Sequence, residues 1–159
     1  MSSHPLAISL RQAVESDLPA LLPFVTAYHT FEEIDLTEAQ NTAALLPLLR
    51  DPSIGLVWFI CEHDEPVGYM AICYSYSIEY GGRDCFLDEL FIADTHRGQG
   101  IGPLALSMAS EKLAADGVRT MLLEVAHGNP RAQKTYTNLG FQPRDRYILM
   151  SRWLKSEAL

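Results

Sequence analysis

Two periods of apolar residues divide this chain. Residues 56–61 (LVWFIC) form a continuous apolar run, short enough to be a strand buried on both faces. The polar turn Glu62-His63-Asp64-Glu65-Pro66 separates it from a long strand that Val67 opens and that reaches about Ile78. Glu79-Tyr80-Gly81-Gly82 turns the chain into the next strand, Phe86 to Ile92, and Thr120 to Ala126 (TMLLEVA) is another buried run. Leu6 to Leu10 alternates weakly and gives a first strand, and Tyr147 to Trp153 gives a closing one. Elsewhere the spacing changes to three and four. Leu18, Leu21, Leu22, Val25 and His29 share a helical face that Ser16-Asp17 starts, with Pro19 in the first turn and Pro23 expected to kink it or delay its start. Thr37-Glu38-Ala39-Gln40 has the form of a capping box, and Ala43, Leu46 and Leu49 carry a second helix that Pro47 interrupts. Leu104 begins a third helical pattern to about Ala115, with Ile101, Ala105, Ala109 and Leu113 in one row and Asp116-Gly117 as its stop. Asn129 caps a fourth, with Pro130 at its first position, Ala132, Tyr136 and Leu139 on one face, and Gly140 at its end.

The predicted order is strand, two helices, three strands, helix, strand, helix, strand. Short turns between the middle strands make them antiparallel. The strand that follows the third helix fits a parallel crossover. The fold class is therefore mixed α/β (α+β), with a partly antiparallel sheet flanked by helices. At 159 residues the chain is expected to be one domain, 1–159, with no internal repeat.

Charge narrows the partners. Twelve basic residues against 20 acidic ones give a formal net charge of −8. A nucleic-acid surface needs a concentrated basic face, so nucleic acid is excluded as a general partner, and a cationic substrate suits the chain better. No apolar run reaches membrane-spanning length, and MSSHPLAISL lacks the charged start and apolar core of a secretory signal. The expectation is a cytoplasmic protein without a membrane partner. Cys61, Cys73 and Cys85 sit in apolar runs and are expected to be reduced thiols. The histidines are scattered, so no metal site is expected.

Candidate chemistry concentrates in residues 87–103, LDELFIADTHRGQGIGP. The apolar strand ends before Asp94-Thr95-His96, and Arg97-Gly98-Gln99-Gly100-Ile101-Gly102 leads into a helix. Bare main chain at Gly98, Gly100 and Gly102 lets N–H groups touch a ligand. Four more unpaired N–H groups are expected from the helix, together with the positive end of its dipole. That is an anion site, most often for phosphate, with Arg97 as a fixed positive charge at its mouth. It is not the nucleoside-triphosphate loop, since Pro103-Leu104 stands where Lys-Ser/Thr would be. The spacing G-x-G-x-G also departs from the dinucleotide fingerprint. Asp88 and Glu89 are adjacent carboxylates on an otherwise apolar strand, and alternation would send them to opposite faces. Phe31-Glu32-Glu33-Ile34-Asp35 is either a solvated acidic loop or a wall for a cationic substrate.

These motifs resemble the GNAT superfamily of acetyl-CoA-dependent N-acetyltransferases. The likeness rests on Arg97-Gly98-Gln99-Gly100-Ile101-Gly102 and on Asn129-Pro130-Arg131-Ala132 with Tyr136 and Gly140-Phe141, in the right order across the chain. Within it the chain is most similar to diamine and polyamine (spermidine/spermine-type) acetyltransferases. The residues that carry this are Leu87-Asp88-Glu89-Leu90-Phe91-Ile92, the acidic Glu32 after the first helix, and Val67-Gly68 before a long aromatic strand. Thr135 departs from the family, where many members carry an aromatic residue, and so do the two proline-broken early helices.

The resemblance implies a mostly antiparallel central sheet with a splayed central strand pair. It implies acetyl-CoA or coenzyme A as co-substrate, held by Arg97 to Gly102 through its diphosphate. The main chain of Leu90, Phe91 and Ile92 would meet the pantetheine and thioester, and Asn129 would contact the pantetheine arm. It implies direct attack by a primary amine of a small cationic substrate in a ternary complex. Such an amine titrates near ~10 and needs a base. Asp88, through water, is the favoured base and substrate contact, with Glu89 second and Glu32 a further substrate contact. Tyr136 would reprotonate the leaving thiolate, a phenol near ~10 being a competent donor at neutral pH. A homodimer is common in the family. Two alternatives stand beside this reading. One is acetylation of a protein lysine or N-terminus, and the other is a non-catalytic acyl-CoA-binding sensor domain.

Overall fold

The protein is described by a computed structural model covering residues 7–155. Leu6, the start of the expected first strand, lies outside the described residues. The chain forms two units, Met1–Glu124 and Val125–Leu159.

The first unit holds a five-stranded sheet in the order β1 (Ile8–Gln12), β2 (Gly55–Glu62), β3 (Glu65–Ser77), β4 (Gly82–Ile92), β5 (Thr120–Leu123). The first three pairs are antiparallel and β4–β5 is parallel. The β2–β3 connection is a two-residue turn at His63 (φ 50°) and Asp64 (φ 67°), between paired Glu62 and Glu65. Positive φ at both positions matches the right-handed twist of the strands it joins. At the β3–β4 turn Gly81 (φ 71°) takes the left-handed position.

Both faces of the sheet are covered, so β2 is apolar without alternation. On one face α1 (Leu18–Phe31) and α2 (Glu38–Arg50) pack Leu21, Val25 and Leu45 against Val57, Phe59, Tyr69, Ala71 and Phe91. On the other, α3 (Ile101–Ala115) lies against β1 and β4 and buries Ile101, Ala105, Leu106, Ala109 and Leu113. A single 3-10 turn, Glu15–Asp17, precedes α1, which runs through Pro23 without a break. The Thr37 capping box forms, with Gln40 N–H on Thr37 Oγ1 (3.2 Å) and Thr37 N–H on Gln40 Oε1 (2.8 Å). The face that α2 buries is Asn41 and Leu45, whereas Ala43, expected inside, is exposed. Pro47 falls in its last turns and does not end it.

The third helix starts at Ile101, earlier than its apolar pattern suggests. Gly100 (φ 81°) caps it, and Pro103 is tolerated because a first-turn residue needs no N–H partner. The strand expected to reach Ala126 stops at Leu123. Ala126 O instead accepts from Asn129 N–H (3.0 Å) and Gln133 Nε2 (2.9 Å) in the turn before α4 (Pro130–Asn138).

The closing strand expected at Tyr147 to Trp153 does not form. Tyr147 N–H closes a turn on Arg144 O (2.9 Å), and the Arg144 guanidinium stacks 4.7 Å from the Tyr147 ring centroid. The described part of this unit has α4 as its regular element and no other strand, so it offers no ladder. Ile148, Leu149, Met150 and Trp153 are exposed.

Candidate active site

The glycine loop is held from behind by its own polar groups. After Ile92 a 3-10 turn, Asp94–His96, leads to Arg97 in extended conformation and then Gly98 (φ 76°) and Gly100 (φ 81°). A Cβ at Gly98 or Gly100 would meet nothing within 4 Å, so steric crowding does not require glycine there; the positive φ does. Arg97 is not a free charge at the mouth. Its Nε donates to Ile92 O (2.8 Å) and its Nη1 meets Asp94 Oδ1 (2.9 Å). Its guanidinium lies 5.0 Å from the ring centroids of both Phe31 and Phe91. Gln99 Nε2 reaches Thr95 O at 3.4 Å.

The helix contributes fewer donors than four. Pro103 has no N–H, and Leu104 N–H is taken by Gly100 O (3.2 Å). Ile101 and Gly102 remain, beside the N–H groups of Gly98, Gln99 and Gly100, none of which donates to a backbone acceptor among the described residues. The side chains of Phe91 and Ile101 are buried in the core, so a ligand would meet those two positions through main chain alone.

Upstream of this loop the sheet forks. The β4–β5 register ends at Leu87 opposite Leu123, and Asp88 to Ile92 continue with no strand on their β5 side among the described residues of this unit. Ala93 N–H donates to Val67 O (2.8 Å), which fixes the direction of the alternation. The Phe91 N–H therefore points into β3, and those of Leu90 and Ile92 point to the open edge. A bulge sits at the fork. Glu89 pairs with Ala71 and Leu87 with Ile72, leaving Asp88 as an extra residue on β4.

The bulge interrupts the alternation on which the expectation of opposite faces for Asp88 and Glu89 rests. The charges of both raise the Tyr69 phenol and the Cys73 thiol, after burial. Glu89 is half-buried and held at both oxygens, Oε1 by His29 Nε2 (2.6 Å) and Oε2 by the Tyr69 hydroxyl (2.7 Å). Burial, followed by the Glu89 carboxylate, pushes the Tyr69 phenol far above its ordinary range. Asp88 is exposed and makes no side-chain hydrogen bond or ion pair to a described residue. Its carboxyl is raised above the usual range by desolvation among its neighbours first, then by the charges of Glu89 and Glu124, with His29 opposing.

Glu32 caps the C-terminus of α1 and is exposed, as is the rest of residues 31–35. In the second unit Asn129 Oδ1 accepts from Ala132 N–H (3.1 Å), so that oxygen serves its own helix. Tyr136 is half-buried on α4, edge-on to Phe141 with centroids 5.8 Å apart. Among the described residues no group of three or more His, Cys, Asp or Glu side chains could hold a metal ion, and no helix is long and apolar enough to cross a membrane. The sequence reading missed His29, Tyr69 and Glu124. A histidine at the end of an otherwise apolar helical face was the one visible signal among them.

The chain is 24% identical over 135 residues to the uncharacterized N-acetyltransferase YhfO of Bacillus subtilis (strain 168), covering 85% of this chain and 90% of that one. It is 34% identical over 76 residues to the thialysine N-epsilon-acetyltransferase of Bos taurus, covering 48% of this chain and 44% of that one. Among solved structures, an integron cassette protein from the mobile metagenome of Cole Harbour Salt Marsh superposes with a TM-score of 0.80 at 28% identity, over 93% of this chain and 91% of that one. A probable acetyltransferase superposes at 0.82 and 20% identity, over 94% and 99%. The model of the acetyltransferase (GNAT) family matches residues 18–141, which takes in both the glycine loop and Tyr136, and the chain therefore belongs to the GNAT family of acetyltransferases.

Proposed function

We propose that residues 1–159 act as one N-acetyltransferase domain. It moves an acetyl group from acetyl-CoA to a primary amine of a small cationic molecule, by direct attack in a ternary complex. The observation that carries this reading is the set of N–H groups from Gly98 to Gly102 that lack backbone acceptors, a few residues after a strand that parts from β5 at the acidic pair Asp88-Glu89. The fit to the coenzyme's diphosphate rests on open space at Gly98 and Gly100 and on main-chain donors at a helix start. Leu90 and Ile92 N–H would serve the pantetheine arm and the thioester oxygen, where one preorganised donor is worth about 3 kcal/mol.

The proposal gives Asp88 the ammonium proton to accept through water, and gives Tyr136 the leaving thiolate to protonate. Support for Tyr136 is the motif from Asn129 to Phe141, together with the ordinary phenol pKa near ~10, which suits a proton donor at neutral pH. Support for a cationic amine is the acidic fork, the acidic stretch around Glu32, and the partial similarity to an enzyme named for the ε-amine of thialysine. Diamines and polyamines are the first candidates, and a homodimer is the proposed assembly.

Release of free thiol from acetyl-CoA, measured over a panel of diamines, polyamines and lysine analogues, tests this reading. Turnover with at least one cationic amine is expected. Calorimetric uptake of acetyl-CoA with no turnover on any of them would favour the sensor reading. Turnover only on peptides would move the acceptor to proteins.

A further inference from the structure

We propose that His29 and Tyr69 are positioning residues that hold Glu89 by both carboxylate oxygens, and that this leaves Asp88, pushed out by the bulge, as the carboxylate that meets the incoming amine. The inference rests on the acetyl-transfer reading above and names which acidic group of that site does the work.

Hydrogen-bond accounting carries it. His29 is buried near the C-terminus of α1, and its Nδ1 has no partner. An imidazolium would leave a buried N–H stranded at Nδ1. A neutral ring protonated at Nε2 spends its one donor on Glu89 and leaves only an acceptor unpaired, which is the cheaper arrangement. Tyr69 is a second obligate donor, since its phenol stays protonated throughout the working range. Glu89 thus receives two short hydrogen bonds, from α1 and from β3, which fix the orientation of its carboxylate and share its charge, whereas Asp88 has no such donors.

The same two bonds fix the strand. Glu89 is the first residue after the bulge and pairs with Ala71, and Tyr69 is two positions along the same face of β3. Pinning Glu89 to Tyr69 and His29 holds the register that leaves Asp88 without a partner. Asp88 is then faced by Glu89 on its own strand, Glu124 at the end of β5, His29 on α1, and Tyr69 and Cys73 on β3. Burial among these groups and the like charges of Glu89 and Glu124 favour the protonated form of Asp88.

The test is the pH profile of kcat/KM for the amine, with acetyl-CoA affinity measured by calorimetry on every variant. Wild type should lose activity as pH falls through an acid limb above the ordinary carboxylate range. Asp88→Asn should remove that limb and lower kcat by about 100-fold or more, the usual worth of a general base. Glu89→Gln should keep the limb. Tyr69→Phe and His29→Ala should each raise the amine KM or lower kcat by about fivefold, as for one lost hydrogen bond, with acetyl-CoA affinity unchanged. His29→Gln, whose amide nitrogen can replace Nε2–H, should recover most of the loss.

A limb that vanishes in Glu89→Gln and persists in Asp88→Asn overturns the assignment. So do Tyr69→Phe and His29→Ala variants with wild-type kinetics. A readout independent of turnover is the 15N spectrum of the His29 ring, where Nε2 should carry the proton and Nδ1 none. The opposite tautomer overturns the network. Failure of acetyl-CoA to bind wild type, with the Nε2–H tautomer present, would instead sink the acetyl-transfer reading.

Discussion

The glycine loop and the acidic fork are both carried by β4, and they are built in opposite ways. The loop is main chain. Its donors are N–H groups, its shape comes from positive φ at Gly98 and Gly100, and its one charged side chain, Arg97, is turned back as a brace. The fork is side chains drawn from α1, β3, β4 and β5, and its working parts are carboxylates held or extruded by their partners. A main-chain site suits the part of a ligand that never varies, because glycine leaves nothing to mutate by degrees. A side-chain site suits an acceptor that can differ between relatives, since one substitution changes it.

If that division is sound, the two regions should fail separately. Gly100→Val puts a β-branched residue at φ 81°, a conformation that costs an L-residue about 1–2 kcal/mol. Its side chain also enters the open face of the loop. Acetyl-CoA affinity should fall by about tenfold or more by calorimetry, while the acid limb set by Asp88 stays where it is. Movement of that limb would show that loop and fork are not separable. Arg97→Ala should cost less, about fivefold in acetyl-CoA affinity for lost hydrogen bonds at a partly exposed site. It removes the contacts to Ile92 O, Asp94 and the two phenylalanine rings. If Arg97 binds diphosphate directly, Arg97→Ala should also sharply reduce the salt dependence of binding.

The same division explains what could be read from the sequence. Residues 97–102 were legible because glycine spacing after an apolar strand states a backbone conformation in one-letter code. The strand order through β5 was legible for a similar reason, since LVWFIC admits few alternatives to a buried strand; TMLLEVA overstated its strand, of which only Thr120–Leu123 forms, and that half-buried. The bulge was not legible. Leu87-Asp88-Glu89-Leu90 alternates as well with it as without it, and only the partners on β3 decide that Asp88 is the extra residue. His29 fell on the helical stripe of Leu21 and Val25 and so passed for core. Its role depends on Glu89, sixty positions away in sequence, and period alone does not carry that information. Tyr147 to Trp153 shows the converse error: a strand pattern was present, but no ladder forms in that unit.

On the fork side, Glu124→Gln removes one of the two charges that raise Asp88. With less repulsion Asp88 gives up its proton more easily, so the acid limb should move to lower pH, by a small amount because the site is solvent-screened. Acetyl-CoA affinity should not change. An upward shift would mean that Glu124 is not felt as a like charge.

The smallest effect is on stability, and its sign is the informative part. The folded Asp88 carboxyl lies above its unfolded value, so the folded state binds that proton more tightly than the unfolded chain does. Ionised Asp88 therefore costs stability above its folded pKa, and the cost fades as pH falls through that value toward the unfolded one. Asp88→Asn removes a charge that the fold pays to keep. At neutral pH Tm should rise by about a degree, a modest gain because the group is exposed to solvent. Below the ordinary carboxylate range the variant and wild type should melt together. A variant that melts lower than wild type at neutral pH would mean that the Asp88 charge is satisfied by a partner. The fork would then be a structural ion network like the one around Arg97, and not a group kept unpaired for an incoming amine.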